Sequence, residues 1–145
     1  MARVAAEMAA AREPWWVIGS AALALHGVDP GEIADVDVLL GARDVRFVFD
    51  SLGLNSDPRP DDRFRSDLFA RWEEPPLAVE FMAGFAVRER GDWMPVEPVT
   101  RDAVTVVDGT LYVPALLELR MLFERFGRDK DLDRVRLIDE SRTRS

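Results

Sequence analysis

The residues whose types and spacing could do chemistry are three acids and a Gly-Ser pair. Asp35 and Asp37 flank Val36 in an apolar run, residues 33–40, that reads as a strand. Side chains alternate faces along a strand, so the two carboxylates share one face while Val36 and Val38 take the other. Paired carboxylates on an otherwise apolar strand repel each other and lose hydration. A divalent cation cancels both penalties, and oxygen-only ligands suit Mg²⁺ or Mn²⁺. Upstream, Gly19-Ser20 joins a short apolar stretch to a helix-forming run. Free backbone N–H groups and the positive end of a helix dipole at such a turn can receive phosphate. A cation-carrying strand beside a phosphate-carrying turn is the layout of a nucleotide site.

The surrounding elements must hold these groups in place. Residues 3–12 are rich in Ala, Met, Arg and Glu and predict a helix, with Pro14 marking its end. Residues 15–18 predict a buried strand, with Ser20 as N-cap of a helix over 21–26 and Gly27 as its C-cap. Asp29-Pro30-Gly31 predicts a turn, and residues 43–52 a helix with an apolar stripe. The stretch NSDPRPDD, residues 55–62, reads as loop. Residues 64–72 and 77–82 read as strands, the second holding the lone acid Glu80, and residues 85–90 could continue it past Gly84. Residues 93–99 carry two prolines and read as edge strand or loop. Asp108-Gly109 between residues 104–107 and 111–113 signals a hairpin. Pro114 fits the first position of a helix whose apolar face holds Leu116, Leu117, Met121, Leu122 and Phe126. Gly127 stops it, and residues 129–139 predict a last amphipathic helix with Leu132, Val135 and Ile138 on one side. Residues 141–145 are expected to fray.

At 145 residues, with 48% hydrophobic and 32% charged content, the chain suits one folded α/β (α+β) domain over residues 1–145. Charged residues or prolines interrupt every apolar run, so no membrane span is expected. Glu7 and Glu13 argue against a signal peptide. The absence of cysteine excludes disulfides, zinc thiolates and cysteine catalysis, and is compatible with a cytoplasmic location. A net charge of −8 disfavours tight metal-free binding of a long polyanion but admits a triphosphate arriving with its own metal.

The ordered set Ile18-Gly19-Ser20, Asp35-Val36-Asp37 and Glu80 resembles the nucleotidyltransferase superfamily of the polymerase-beta type. The charged run Arg128-Asp129-Lys130-Asp131, with Asp133 after it, is similar to the small stand-alone and abortive-infection-toxin branch. The resemblance implies a minimal nucleotidyltransferase fold, a mixed sheet flanked by helices with further helices at the C-terminal end. It implies transfer of a nucleoside monophosphate from an NTP to an acceptor, with release of pyrophosphate. Asp35, Asp37 and Glu80 would be the catalytic and metal-binding acids, holding Mg²⁺ or Mn²⁺, and two such ions would stand about 3.5–4 Å apart. Glu80 could also help to deprotonate the acceptor. Gly19 and Ser20 would hold the β- and γ-phosphates. Arg63, Arg65 and Lys130 are candidates for further phosphate or acceptor contacts.

The acceptor stays open among a small molecule, an RNA end and a protein hydroxyl, the acidic charge disfavouring long RNA. A second reading is a nucleotidyltransferase-fold binding or regulatory module with weak or no turnover. Such a module could act in a toxin–antitoxin-type system with a protein partner or as a homo-oligomer. A third is an unrelated α/β domain whose Asp pair is structural. His26, the only histidine, reads as a helix-end or packing residue, and the four tryptophans as core or rim aromatics. The Arg128 to Asp133 run reads most simply as a solvated, ion-paired helix start.

Overall fold

A computed structural model describes residues 1–144. The elements are α1 (Ala2–Met8), β1 (Trp16–Ile18), α2 (Gly19–Leu25), β2 (Asp35–Leu39), α3 (Ala42–Leu52), β3 (Asp57–Pro60), β4 (Phe64–Trp72), β5 (Ala78–Ala83), β6 (Ala86–Glu89), β7 (Asp92–Pro95), β8 (Asp102–Val106), β9 (Gly109–Val113), α4 (Leu116–Phe126) and α5 (Asp129–Thr143). Seven strands form one mixed sheet, and β8–β9 form a separate hairpin. Within the main sheet β1 runs antiparallel to β2, β2 parallel to β5, and β5 antiparallel to β4.

The β5–β4 ladder and the β6–β4 ladder share one register, so β5 and β6 line the same edge of β4 as a single interrupted strand. The interruption falls at Gly84, whose positive φ of 64° suits a residue without a Cβ. Residues 85–90 thus continue the strand past Gly84, as the sequence suggests. On the far side of this ladder β2 lies along β5 and β7 along β6. The last bonds of each, Leu40 N–H to the Met82 carbonyl and Val96 N–H to the Phe85 carbonyl, leave a gap between their ends.

The core holds Trp72, Phe81, Val79 and Val36 from the sheet, Phe49 from α3, and Leu119, Leu122 and Phe123 from α4. Acids that serve the fold are bonded to backbone. Asp44 accepts the N–H groups of Arg12 and Glu13, and Glu118 accepts those of Val99 and Thr100. Each satisfies donors that would otherwise be lost to water.

Several local expectations shift. α1 stops at Met8 rather than near residue 12. β3 lies inside the stretch read as loop, pairing with β4 at an exposed edge where its two prolines leave no central ladder bond unmade. α2 starts at Gly19 with Ile18 as N-cap, so Ser20 sits inside the first turn and is not the cap. The hairpin closes Val106 against Gly109, placing Val107-Asp108 in the turn instead of Asp108-Gly109. Pro114 precedes α4, whose N-cap is Ala115. Leu117, Met121 and Leu132 are exposed, so the apolar faces of α4 and α5 are narrower than the sequence suggests. α5 stays helical to Thr143, and Ser145 lies outside the described residues. No helix among the described residues is long and apolar enough to cross a membrane.

Candidate active site

One rung of the sheet carries the acids. Ile18 on β1 pairs with Asp37 on β2, Asp37 with Glu80 on β5, and Glu80 with Arg71 on β4. Asp35 precedes Asp37 by two residues and shares its face. The register therefore converts a spacing in sequence into a cluster: carboxylate oxygens of Asp35, Asp37 and Glu80 all lie within 4.8 Å of one another. Burial, with Asp35 and Glu80 alongside, pushes the Asp37 carboxyl up from 3.8 to about 7. Arg128 and Arg134 act in the opposite direction on it. Such a cluster holds an excess of negative charge that a hard cation would relieve.

Gly19 abuts this cluster. Its φ is 70°, and a Cβ there would stand 2.9 Å from Asp37 Oδ2. Glycine is required twice over, by the backbone conformation and by the approach of the carboxylate. Gly19 and Ser20 open α2, where first-turn N–H groups have no intrahelical acceptor. Ser20 is buried beneath that turn.

A cavity of about 160 Å³ opens over Gly19, Asp37 and Glu80, and four arginines line it: Arg59, Arg65, Arg128 and Arg134. Two of these are set by a buried acid. Asp131 is fully buried in the first turn of α5 and binds Arg128 through both carboxylate oxygens, at 2.6 and 3.0 Å. It also accepts the Arg128 backbone N–H and contacts Arg134 at 3.4 Å. Arg128 and Arg134 lie over the rings of Phe64 and Phe123, which fixes their planes. Burial lowers the pKa of the Arg134 guanidinium, with Asp131 countering. Arg71 approaches the acids from the other side, 3.2 Å from Glu80 and 3.6 Å from Asp35, and also binds Glu73.

Of the residues singled out from sequence, Asp35, Asp37, Glu80 and Gly19 come together, and Ser20 lies directly behind Gly19. Arg65 lines the cavity and stacks on Trp93. Arg63 turns away and donates to the Phe126 carbonyl at the end of α4. Lys130 is exposed on α5 and does not line the cavity. Sequence reasoning missed Arg59, Arg71 and Arg134 and took Arg128 for a solvated helix start. One signal was available: an acid at the third helical position after a Gly stop is poised to bond back to its N-cap residue. His26 bonds the Pro114 carbonyl at 2.7 Å and packs, as expected.

Solved structures share this architecture. The Thermotoga maritima nucleotidyltransferase candidate TM1012 matches with a TM-score of 0.69 and 21% identity, over 90% of this chain and 84% of that one. The antibiotic-resistance factor ANT(2″)-Ia matches with a TM-score of 0.58 and 12% identity, over 94% and 78%. The lincosamide antibiotic adenylyltransferase LnuA, solved with lincomycin bound, matches with a TM-score of 0.55 and 11% identity, over 87% and 85%. No family model matches the sequence, and no curated protein matches it. The chain has the nucleotidyltransferase fold, as the motif order suggests.

Proposed function

We propose that this protein transfers a nucleoside monophosphate from an NTP to an acceptor hydroxyl. The observation that carries the reading is the convergence of Asp35, Asp37 and Glu80 beside Gly19, in a cavity walled by arginine. The donor set is all carboxylate oxygen, which suits Mg²⁺ or Mn²⁺. Asp35, Asp37 and Glu80 would hold the metal, which when bound supplies charge neutralisation at the reacting phosphate.

The chain's own groups do the rest. Arg128 and Arg134, held by Asp131, meet the triphosphate with charge-assisted hydrogen bonds. The Gly19-Ser20 main chain contacts phosphate where a side chain would block it. The acceptor oxygen bonds to the α-phosphorus, the bond from that phosphorus to the bridging oxygen breaks, and pyrophosphate leaves with the electron pair. Glu80, between Asp37 and Arg71 on the rung, takes the hydroxyl proton or passes it to water. LnuA is an adenylyltransferase of lincosamide antibiotics and ANT(2″)-Ia has been solved with adenylyl-2″-tobramycin, which supports a small-molecule acceptor. The test is pyrophosphate release from each NTP with Mn²⁺, in wild type and in Asp37→Asn shown to be folded by circular dichroism. Release in wild type alone is expected; equal release in both would overturn the catalytic role of the acids.

Arg71 favours a second reading. Its guanidinium already shares one positive charge among Asp35, Glu80 and Glu73. A chain that supplies its own cation can keep the fold as a nucleotide-binding or regulatory module, working through a protein partner as toxin–antitoxin chains do. Nucleotide binding without turnover over all four NTPs would select it.

A further inference from the structure

The guanidinium that faces the acids is not held by them alone. Arg71 stands opposite Glu80 in the β4–β5 ladder, so the register itself brings its side chain to the acidic rung. A single nitrogen, Nη1, serves both acids, 3.2 Å from Glu80 Oε2 and 3.6 Å from Asp35 Oδ2. The Nε–H points elsewhere and donates to Glu73 Oε1 at 3.1 Å. Glu73 follows Arg71 by two residues, just past the end of β4. Its bond is the first cause of the raised Arg71 pKa, ahead of the bond to Glu80. Arg71 thus has two separate grips, one on the acids and one on Glu73.

The grip on the acids is the weaker one. Asp35 is reached only as an ion pair, and one positive charge is spread over Asp35, Glu80 and Glu73 with Asp37 close by. Arg59 adds little: it is 4.0 Å from Glu80, and its guanidinium lies on the Phe69 ring. A divalent cation bonded to carboxylate oxygens at about 2.1 Å brings twice the charge at a shorter distance. It also repels a guanidinium beside the same two carboxylates. Arg71 and Glu73 are both substantially exposed, so a shift of the pair towards solvent sacrifices little packing.

We infer that Arg71 is a displaceable counter-ion of the metal site and that Glu73 is the residue that holds it when it leaves. Without metal, Nη1 lies against Asp35 and Glu80; with a divalent cation there, the guanidinium releases both and stays on Glu73. Glu73 is a positioning residue that acts through Arg71. The acids are compensated in both states, and metal binds more weakly than it would to the three carboxylates alone. This rests on the reading of Asp35, Asp37 and Glu80 as a metal site.

The test is Mn²⁺ affinity without nucleotide, followed by the electron paramagnetic resonance of free Mn²⁺. The chains are wild type, Arg71→Gln, Glu73→Gln and the double variant, with Glu74→Gln as the charge control. Glu74 carries the same charge next door but bonds Trp72 and Arg3. Arg71→Gln should bind Mn²⁺ severalfold more tightly than wild type. Glu73→Gln, which leaves Arg71 to the acids, should bind it about two- to fivefold more weakly, the range an exposed ion pair commands. Once Arg71 is replaced, the further change Glu73→Gln should matter no more than Glu74→Gln does. A carboxylate acting only by its charge would give the same loss with and without Arg71, and that result overturns the exchange, as does weaker binding by Arg71→Gln. Either failure beside clear Mn²⁺ uptake leaves the transferase reading standing. No uptake by wild type or by Arg71→Gln removes the exchange together with that reading.

Discussion

Replacing Asp37 by Asn should stabilise the metal-free protein while destroying its metal site. The Asp37 carboxyl is raised from 3.8 to about 7, first by burial and then by Asp35 and Glu80. Between these values the folded chain holds a proton that the unfolded chain has released. Stability therefore falls as pH rises through that window, and the full penalty stands above it. At about 1.4 kcal/mol per unit, the ceiling on the penalty is about 4 kcal/mol. The lowering by Arg128 and Arg134 is already contained in that value, and what reduces the gain is that the Asn amide must fit against Gly19. A gain of about 1–2 kcal/mol at alkaline pH is the expected outcome, or roughly 3–8 °C in Tm for a chain of this size. The assay is thermal unfolding by circular dichroism at pH 8 and pH 5 in chelator, with Mn²⁺ titration by calorimetry alongside. At pH 5, inside that window, the gain should be clearly smaller than at pH 8, and its pH-dependent part should vanish only below 3.8, where both states hold the proton. A variant less stable than wild type at pH 8, or one that still takes up Mn²⁺, would refute the reasoning.

Further outcomes follow from the same geometry. Mn²⁺ affinity of the wild type should rise as pH increases through about 7, since metal displaces the Asp37 proton, and a flat profile by calorimetry between pH 5 and 8 would contradict this. Gly19→Ala should cost about 1–2 kcal/mol in urea unfolding and weaken nucleotide binding, because φ is 70° and the new Cβ would press on Asp37. Asp131→Asn should cost about 3 kcal/mol in the same assay and loosen phosphate binding, since it strips the buried anchor from Arg128 and Arg134. Arg71→Gln should raise Mn²⁺ affinity severalfold by removing the resident cation from Asp35 and Glu80, whereas a loss of affinity would mean that Arg71 organises the site.

The acidic rung was legible because it is written in strand periodicity. Alternation gives the shared face of Asp35 and Asp37, and an acid inside an apolar strand marks Glu80. β4 matches its expected span, residues 64–72, because its apolar and polar residues alternate in part between two turn-forming stretches. The arginine wall was hidden because no local pattern distinguishes a guanidinium that faces solvent from one that faces a cleft. Asp131 looks like any helix-start acid until the fold buries it completely with Arg128 and Arg134 bonded to it. β3 was hidden because Asp57-Pro58-Arg59-Pro60 has the composition of a loop and becomes a strand only by pairing with the edge of β4. The hairpin slip came from reading Asp-Gly as the turn, when Gly109 opens the returning strand and pairs with Val106.

The proposed chemistry depends on a cation held jointly by three acids beside a triphosphate. A crystal structure of the wild type soaked with Mn²⁺ and a non-hydrolysable ATP analogue tests this directly. The expected result is an anomalous manganese peak bonded to Asp35, Asp37 and Glu80, Arg71 drawn back, and phosphate oxygens against Gly19, Arg128 and Arg134. Manganese elsewhere, or the triphosphate seated away from the acids while Arg71 keeps its contacts with Asp35 and Glu80, would contradict it.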